Sequence, residues 1–494
     1  EAEGIAGVID MRTLKPLDTE ARTQLKAEYE YNNLGQLNPD SEDTGINATF
    51  SYINQFANDA IGIAFAHQAM ESPNQENRWN SWGYPGEWWC GQQACPGAML
   101  GGAKPFVRSS TLDRDSTMLV VQMEPSDRLS MTADVLYVDF ADEKILRGIE
   151  IPFAWGQGWP RTANSVENGI VTNGTTEGQR VVVRNDYEER KADLTQFGFN
   201  AMFDYSDDLQ IEVDVSRSAV EREILSFESY AGTGRGDNRG IADTIGYNLA
   251  PGGTGATFDA SLNYADPSLI QLGGPLTWGW QSTLNDKFNA TGTEFENTAQ
   301  DGFLNAPNID DELNALKLAA TQQLNKGMIS SVEYGVSHRA RTKKKTAENF
   351  FMTLNAFPEM LAVPDQYYLG SVNLDFIGMG NMIAYDSRGM VRDGFYDLTL
   401  EESSYASNQW NVKEDVTTYF AMANLETEIA GKEVTGNIGV LHIQTDQSSN
   451  AFAQSGGRLI RQTVRHDYSN TLPSMNLRVA LDEQQTIRFG IAKT

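Results

Sequence analysis

The chain has 494 residues, a formal net charge of -29 and a sequence pI near 4.5. Such an acidic surface repels nucleic-acid phosphates, which excludes nucleic acid as a partner. No apolar run approaches the roughly 18 residues that a membrane-spanning helix needs, so a helical membrane protein is excluded too. A β-barrel is not excluded, because strands that alternate apolar and polar residues leave little signal in average hydropathy.

Alternating segments begin at 25–31 and continue with a first pair, 46–56 and 61–69, joined by Asn58-Asp59. Within 46–56, one parity carries apolar side chains and the other polar ones. The apolar set is Ile46, Ala48, Phe50 and Tyr52, and the polar set is Asn47, Thr49 and Ser51. Period two with one apolar face predicts a strand that lies between lipid and a polar interior.

The clearest pair is 196–205 and 209–216, joined by Ser206-Asp207-Asp208. Phenylalanines and aliphatic residues hold one parity in both segments. Glu212 and Asp214 hold the other parity, which would be the lumen of a barrel. On the same reasoning Arg339 and Arg341 are candidates to line a substrate path or to hold an internal plug, although a solvated polar wall explains all four residues equally simply.

The remaining pairs are 117–123 with 129–139, 316–324 with 329–341, 416–429 with 434–443, and 474–481 with 486–492. The six hairpins and the first stretch give about thirteen strands. Long segments, predicted to be irregular, separate the hairpins at 72–113, 150–192, 229–309 and 351–412. Short turns at one end and long loops at the other are typical of an outer-membrane β-barrel.

Two motifs resemble TonB-dependent outer-membrane receptors. The first is Glu3-Gly4-Ile5-Ala6-Gly7-Val8-Ile9-Asp10, which is similar to the end of the plug domain and is followed by Pro16. The second is Leu472-Pro473-Ser474-Met475-Asn476-Leu477, followed by the strand around 486–493. The overall likeness is to the paralogous group of Xanthomonas-type and Caulobacter-type bacteria.

This resemblance implies an all-β fold, a transmembrane antiparallel β-barrel of about 22 strands with a plug inside. Residues 1–18 would be the C-terminal end of the plug, and 19–494 the N-terminal part of the barrel, with about thirteen of those strands. The chain does not open with Met or a signal peptide, so we expect a fragment that lacks most of the plug, the TonB-coupling segment and the last strands. The implied location is the Gram-negative outer membrane.

Tryptophans concentrate in the long segments. We predict that loop aromatics form flat platforms for a ligand at the extracellular mouth. The alternative is packing among the loops or an aromatic belt at the lipid headgroups. The candidates are Trp79, Trp82, Tyr84, Trp88, Trp89, Trp155, Trp159, Trp278 and Trp280.

The two cysteines, Cys90 and Cys95, lie close together in a Gly- and Trp-rich segment. A local disulfide, typical of an oxidising compartment, is favoured over half of a zinc site, because no second Cys pair or nearby His exists. The four histidines show no metal-ligand spacing, and we find no catalytic constellation. The sequence therefore predicts no enzyme, no metal and no cofactor.

The leading hypothesis is a ligand-gated importer, energised by the TonB complex through the missing N-terminal segment. The expected ligand is a scarce nutrient, first a carbohydrate or oligosaccharide and second a ferric siderophore. Outer-membrane lipid and lipopolysaccharide would surround the barrel. The rivals are a passive porin-like barrel and a secreted soluble β-rich binding protein, which would need a second layer to cover the apolar strand faces.

Overall fold

The computed structural model describes residues 13–235, 239–275, 300–400, 408–455, 458–482 and 484–493. Most of the predicted plug segment, residues 1–12, and the candidates Trp278 and Trp280 lie outside the described residues. None of the described helices is long and apolar enough to cross a membrane.

The described fold is all-β. Its strands are β1 (Arg22–Tyr31), β2 (Thr44–Phe56), β3 (Ile61–Arg78), β4 (Phe106–Ser126), β5 (Leu129–Glu150), β6 (Arg161–Glu167), β7 (Ile170–Gln179), β8 (Val182–Ser206), β9 (Leu209–Gly232), β10 (Asp243–Leu249), β11 (Ala256–Ala260), β12 (Gln271–Leu272), β13 (Gly302–Lys326), β14 (Ile329–Leu354), β15 (Leu361–Ala362), β16 (Tyr368–Asn373), β17 (Asn381–Tyr385), β18 (Tyr396–Leu400), β19 (Trp410–Ile429), β20 (Lys432–Ser455), β21 (Arg458–Ala480) and β22 (Thr486–Ala492). The helical segments are α1 (Ser387–Arg392) and the 3₁₀ helices Pro16–Asp18, Pro251–Gly253, Asp365–Tyr367 and Asp375–Ile377.

One large antiparallel sheet dominates the molecule. Its main path is β1-β2-β3-β4-β5-β8-β9-β13-β14-β19-β20-β21-β22, which confirms the thirteen predicted strands and all six hairpins. Tight turns with positive φ connect several of these hairpins, at Asn58, Asp59, Gly327 and Gly431. The sheet is open, because β1 and β22 do not pair with each other in the part of the chain that is described.

The face predicted to be apolar forms a continuous belt near the tight turns. Directly opposed residues run across nine strands with apolar side chains throughout: Phe56, Ile61, Met123, Met131, Ala201, Val213, Leu318, Val336 and Tyr419. These side chains are not covered; Leu318 is 44% and Tyr419 49% exposed. We call this surface the apolar belt.

A row of carboxylates borders the apolar belt on the same face, toward the long loops. Cross-strand register places five acidic residues directly opposite one another on β4, β5, β8, β9 and β13: Asp115, Asp139, Asp193, Glu221 and Asp310. All five are exposed. We call this row the acidic ladder. Like charges in directly opposed positions destabilise a sheet, so the acidic ladder lowers the stability of the fold.

The long segments are irregular only in part, so that prediction was partly wrong: residues 79–105 contain only isolated β-bridges, but the other segments contain strands. The main strands extend far into them, and β11-β10-β7-β6 form a separate four-stranded sheet while β16 and β17 pair with each other. Side chains from these loops form the buried core, including Leu100, Phe153, Tyr247 and Ile383. Local pattern missed this because the loop strands are short, and because β7 and β12 also pair with strands distant in sequence.

The loop core packs on the same face as the apolar belt, but only at the loop ends of the strands. Val107, Ile149 and Val183 are in this core and are fully buried. Each shares the parity of the belt residues in its own strand, and the register between β4, β5 and β8 runs without a shift there. The loops therefore cover the top of this face and leave the belt open.

Replacing Asp139 and Asp193 together with Asn should stabilise the protein by about 0.5–2 kcal/mol at low salt, because it removes three directly opposed like-charge contacts. The gain should shrink as added salt screens the ladder. Urea unfolding in detergent measures it. Asp127→Asn, in the exposed β4–β5 turn, is the control. A loss of stability in the double variant would contradict repulsion along the ladder.

Candidate functional site

The polar face of the large sheet brings the predicted lumen residues together. Glu212 and Asp214 on β9 are joined by Asn200, whose amide donates to Glu212 Oε1 (3.0 Å) and to Asp214 Oδ2 (3.1 Å). Lys317 Nζ lies 2.9 Å from Glu212 Oε2 and holds the other side of that carboxylate. Register places Lys317 directly opposite Asp214, so all these groups lie on one wall.

Arg339 and Arg341 lie on this same wall but have different surroundings. Arg339 lines a cavity of about 290 Å³ with Asp214 and Lys317. The described residues give it no ion pair. Arg341 instead donates from Nε and Nη2 to Asp311 (2.9 and 2.6 Å). The predicted alternation of β8 already puts Asn200 on this face, but it was not singled out as a site residue. Lys317 and Asp311 were missed, although extending the alternation through β13 would have placed them here.

At the loop end of the polar face, a buried arginine pairs with three carboxylates. Arg184 is 1% exposed and forms ion pairs with Glu150, Asp186 (2.8 Å) and Glu228 (2.7 Å). Its guanidinium also lies over the Tyr230 ring, 4.9 Å from the ring centre. We call these five residues the Arg184 cluster. A buried cation is tolerated only when its charge and donors are matched in this way.

The carboxylates of the Arg184 cluster differ in acidity. Burial raises the pKa of Asp186 to about 6, against the opposing pull of Arg184. Burial acts in the same sense on Glu228, but Arg184 and Lys104 outweigh it and lower the pKa of Glu228 to about 2. With more carboxylates than cations nearby, the cluster therefore takes up its first proton at Asp186 and keeps Glu228 ionised.

The predicted aromatic residues divide into two groups. Trp89 is 3% exposed and donates from Nε1 to the Gly97 carbonyl (2.9 Å), and Trp79 stacks on Phe258 with ring centres 5.9 Å apart. Both belong with the loop core, together with the half-buried Tyr84. Their packing leaves less ring surface open to a ligand, and least for the buried Trp89, so a ligand role for these three residues stays a prediction.

Three tryptophans remain open to solvent: Trp88 (65%), Trp155 (61%) and Trp159 (54%). Arg161 ties their segments together, since Nη1 donates to the Trp89 carbonyl (3.2 Å) and Nη2 to the Gly156 carbonyl, while its guanidinium lies 5.9 Å from the Trp159 ring centre. We call Trp88, Trp155, Trp159 and Arg161 the tryptophan surface.

Local backbone contacts fix this surface. Trp155 Nε1 donates to the carbonyl of the partly buried Trp82 (3.2 Å). Its ring lies against Gly101, where a Cβ would come within 2.1 Å of Nε1, so only glycine permits this approach. Cys90 and Cys95 form a disulfide, which closes the turn that follows Trp88. The described residues include no group of three or more His, Cys, Asp or Glu that could hold a metal ion.

No protein-family model matches the chain, and no curated protein matches it significantly. The functional argument therefore rests on the residues themselves.

The raised pKa of Asp186 predicts a pH dependence of stability. A carboxyl that binds its proton more tightly in the folded state stabilises the fold as the pH falls from about 7.5 toward 4.5. We expect the wild type to gain on the order of 1–3 kcal/mol relative to Asp186→Asn across this window, since one pKa unit corresponds to about 1.4 kcal/mol.

Urea unfolding in detergent, followed by tryptophan fluorescence at several pH values, measures this difference. Asp259→Asn, on β11 outside the Arg184 cluster, controls for the general effect of pH. A wild type that loses stability relative to Asp186→Asn on acidification would contradict the assignment.

Proposed function

We propose that residues 19–494 form part of an outer-membrane transport barrel of the TonB-dependent receptor type, in a Gram-negative bacterium. The observation that carries the proposal is the uncovered apolar belt on one face of the sheet, opposite a wall with Glu212, Asp214, Lys317 and Arg339 on the other. Lipid on one side and a wet lumen on the other would satisfy both faces.

The edge of the apolar belt also supports a location in the membrane. On β4, β5 and β8 the apolar side chains give way to threonine or tyrosine and then to the acidic ladder, whereas on β9 and β13 charged residues begin earlier, at Arg217 and Glu312. Tyr137, at the edge, donates its hydroxyl to Asp193 (2.8 Å). A tyrosine with its ring beside apolar side chains and its hydroxyl among charges is typical of a lipid–water interface. A secreted soluble protein would need a layer over the belt, and the described loops cover only the strand ends beyond the ladder.

The described end of the predicted plug segment also fits this architecture. The 3₁₀ helix Pro16–Asp18 lies on the polar face, where the Leu17 amide donates to Gln122 Oε1 (3.2 Å) and Gln55 Nε2 donates to the Pro16 carbonyl (2.6 Å). The chain thus enters β1 from the side that would be the lumen. A plug domain inside the barrel would connect to the first barrel strand from this side, whereas a passive porin needs no such segment.

Phe199→Arg should impair insertion into lipid vesicles strongly, because an arginine in the apolar belt costs about 2–4 kcal/mol near the bilayer centre. Asn200→Arg is the matched control: it is the next residue of β8, but it lies on the polar face beside Glu212 and Asp214. Folding is measured by the heat-dependent mobility of the protein on a gel. Equal insertion of both variants, or stability of the wild type without detergent, would refute the barrel.

For the ligand we propose a carbohydrate or oligosaccharide, imported with energy from the TonB complex. The tryptophan surface supplies flat apolar rings beside a guanidinium, which suits the apolar faces and hydroxyls of sugar rings. No catalytic role is proposed for any residue.

The intact membrane protein in detergent should bind a neutral oligosaccharide, detected by a change in tryptophan fluorescence. Removing the exposed rings in Trp88→Ala and Trp159→Ala should weaken binding about tenfold each, because each loses a stacked face. Trp410→Ala, at the start of β19, is the control. Binding of ferric chelates alone would identify a siderophore receptor, and ion conductance without any ligand binding would identify a porin.

A further inference from the structure

A cavity of about 220 Å³ opens on the polar face at the loop ends of β3, β4, β5, β8 and β9. Its walls include Arg78, Asn80, Lys104, Phe106, Ser226 and Glu228. Ser226 and Glu228 share strand and parity with Glu212 and Asp214, so the cavity lies on the same wall, further toward the loops. We call it the mouth pocket. It is separate from the tryptophan surface.

One wall of the mouth pocket is the Glu228 carboxylate, whose orientation is fixed by contacts with Arg184 and Tyr230. Glu228 Oε2 receives the Arg184 Nη2 contact (2.7 Å) and the Tyr230 hydroxyl (2.8 Å). In the described part of the chain, the ion-pair partner of Glu228 Oε1 is Lys104 Nζ, at 3.5 Å. This oxygen therefore keeps accepting capacity toward the pocket, and the lysine beside it keeps donors. A carboxylate held in one orientation binds without losing much side-chain freedom.

Three other polar groups of the mouth pocket are unengaged. Among the residues that the structure describes, the side chains of Arg78, Asn80 and Ser226 have no hydrogen bond or ion pair. They offer a guanidinium, an amide and a hydroxyl beside the Glu228–Lys104 pair. The Phe106 ring also lines the pocket but is only 4% exposed, and Lys104 Nζ lies 5.7 Å from its centre.

Each carboxylate that lines the mouth pocket has a cation partner. Arg78 and Lys104 line it together with Asp186, Glu188 and Glu228. Arg184 pairs with Asp186 and Glu228, and also with Glu150 outside the pocket, while Glu188 pairs with Lys144 and Arg190. Paired donors and acceptors of this kind suit neighbouring hydroxyl groups better than a single cation.

We propose that the mouth pocket binds one neutral sugar unit, with adjacent hydroxyls held between Glu228 Oε1 and Lys104 Nζ and further hydroxyls within reach of Asn80 and Ser226. This inference rests on the proposed carbohydrate import and adds its binding subsite. The chain connects it to the tryptophan surface: the segment between Arg78 and Lys104 carries Trp88 and is closed at its base by the Lys104 amide, which donates to the Asn80 carbonyl (2.8 Å).

The test is isothermal titration of the intact detergent-solubilised protein with maltose, sucrose, a maltodextrin, galacturonate and a ferric siderophore. Glu228→Gln should raise the Kd for a neutral sugar at least tenfold, because hydrogen bonds to a charged acceptor are the stronger kind. Asn80→Ala and Ser226→Ala should each raise it several-fold. These two groups have no partner in the described fold, so their removal does not threaten folding.

Glu223→Gln is the matched control, since it lies on β9 but on the opposite face, and it should bind like the wild type. If a neutral sugar binds and Glu228→Gln, Asn80→Ala and Ser226→Ala all retain wild-type affinity, the mouth pocket is refuted while sugar import stands. If only the siderophore binds, or no probe binds, both the pocket and the carbohydrate proposal fail. Tighter binding of galacturonate than of neutral sugars would overturn the neutral-ligand assignment.

Discussion

The unbroken cross-strand register of the large sheet is the constraint on which the rest of the structure depends. From the tight turns to the loop ends, β4, β5, β8 and β9 pair with constant register apart from the residues next to the turns. Side chains of one parity therefore stay on one face over more than twenty residues. A slip of one residue would exchange the apolar belt with the polar wall, so the alternating pattern itself selects the register.

The alternation made the strands and faces predictable, because period two is a local property. It located all six hairpins and put Glu212 and Asp214 on one face with Arg339 and Arg341. It could not give the partners across the sheet, such as Lys317 opposite Asp214, since these depend on register between segments about a hundred residues apart. The loop core was unpredictable for the same reason: β12 pairs with both β9 and β15, which only the folded chain brings together.

The tryptophans show that local composition does not predict which side chains are exposed. Trp88 and Trp89 are neighbours with the same composition around them, yet Trp88 is 65% exposed and Trp89 3%. The difference comes from the turn: Trp88 has a positive φ and points away, while Trp89 turns inward and satisfies its indole N–H on Gly97. No sequence pattern distinguishes them, because the choice follows from packing against residues far along the chain.

Near the loop ends of the strands, the two faces of the sheet bury different kinds of side chain. On the belt side, loops bury Val107, Ile149 and Val183 and so remove apolar surface from water above the acidic ladder. On the polar side, the Arg184 cluster buries charge instead, which is tolerated because every carboxylate there contacts a cation. Glu228 belongs both to the Arg184 cluster and to the mouth pocket. Arg184 and Tyr230 contact one of its oxygens, and the other oxygen is turned to the pocket. A buried ion-pair cluster contributes little net stability once desolvation is counted. Its retention at this position is better explained by the fixed orientation that it gives to Glu228.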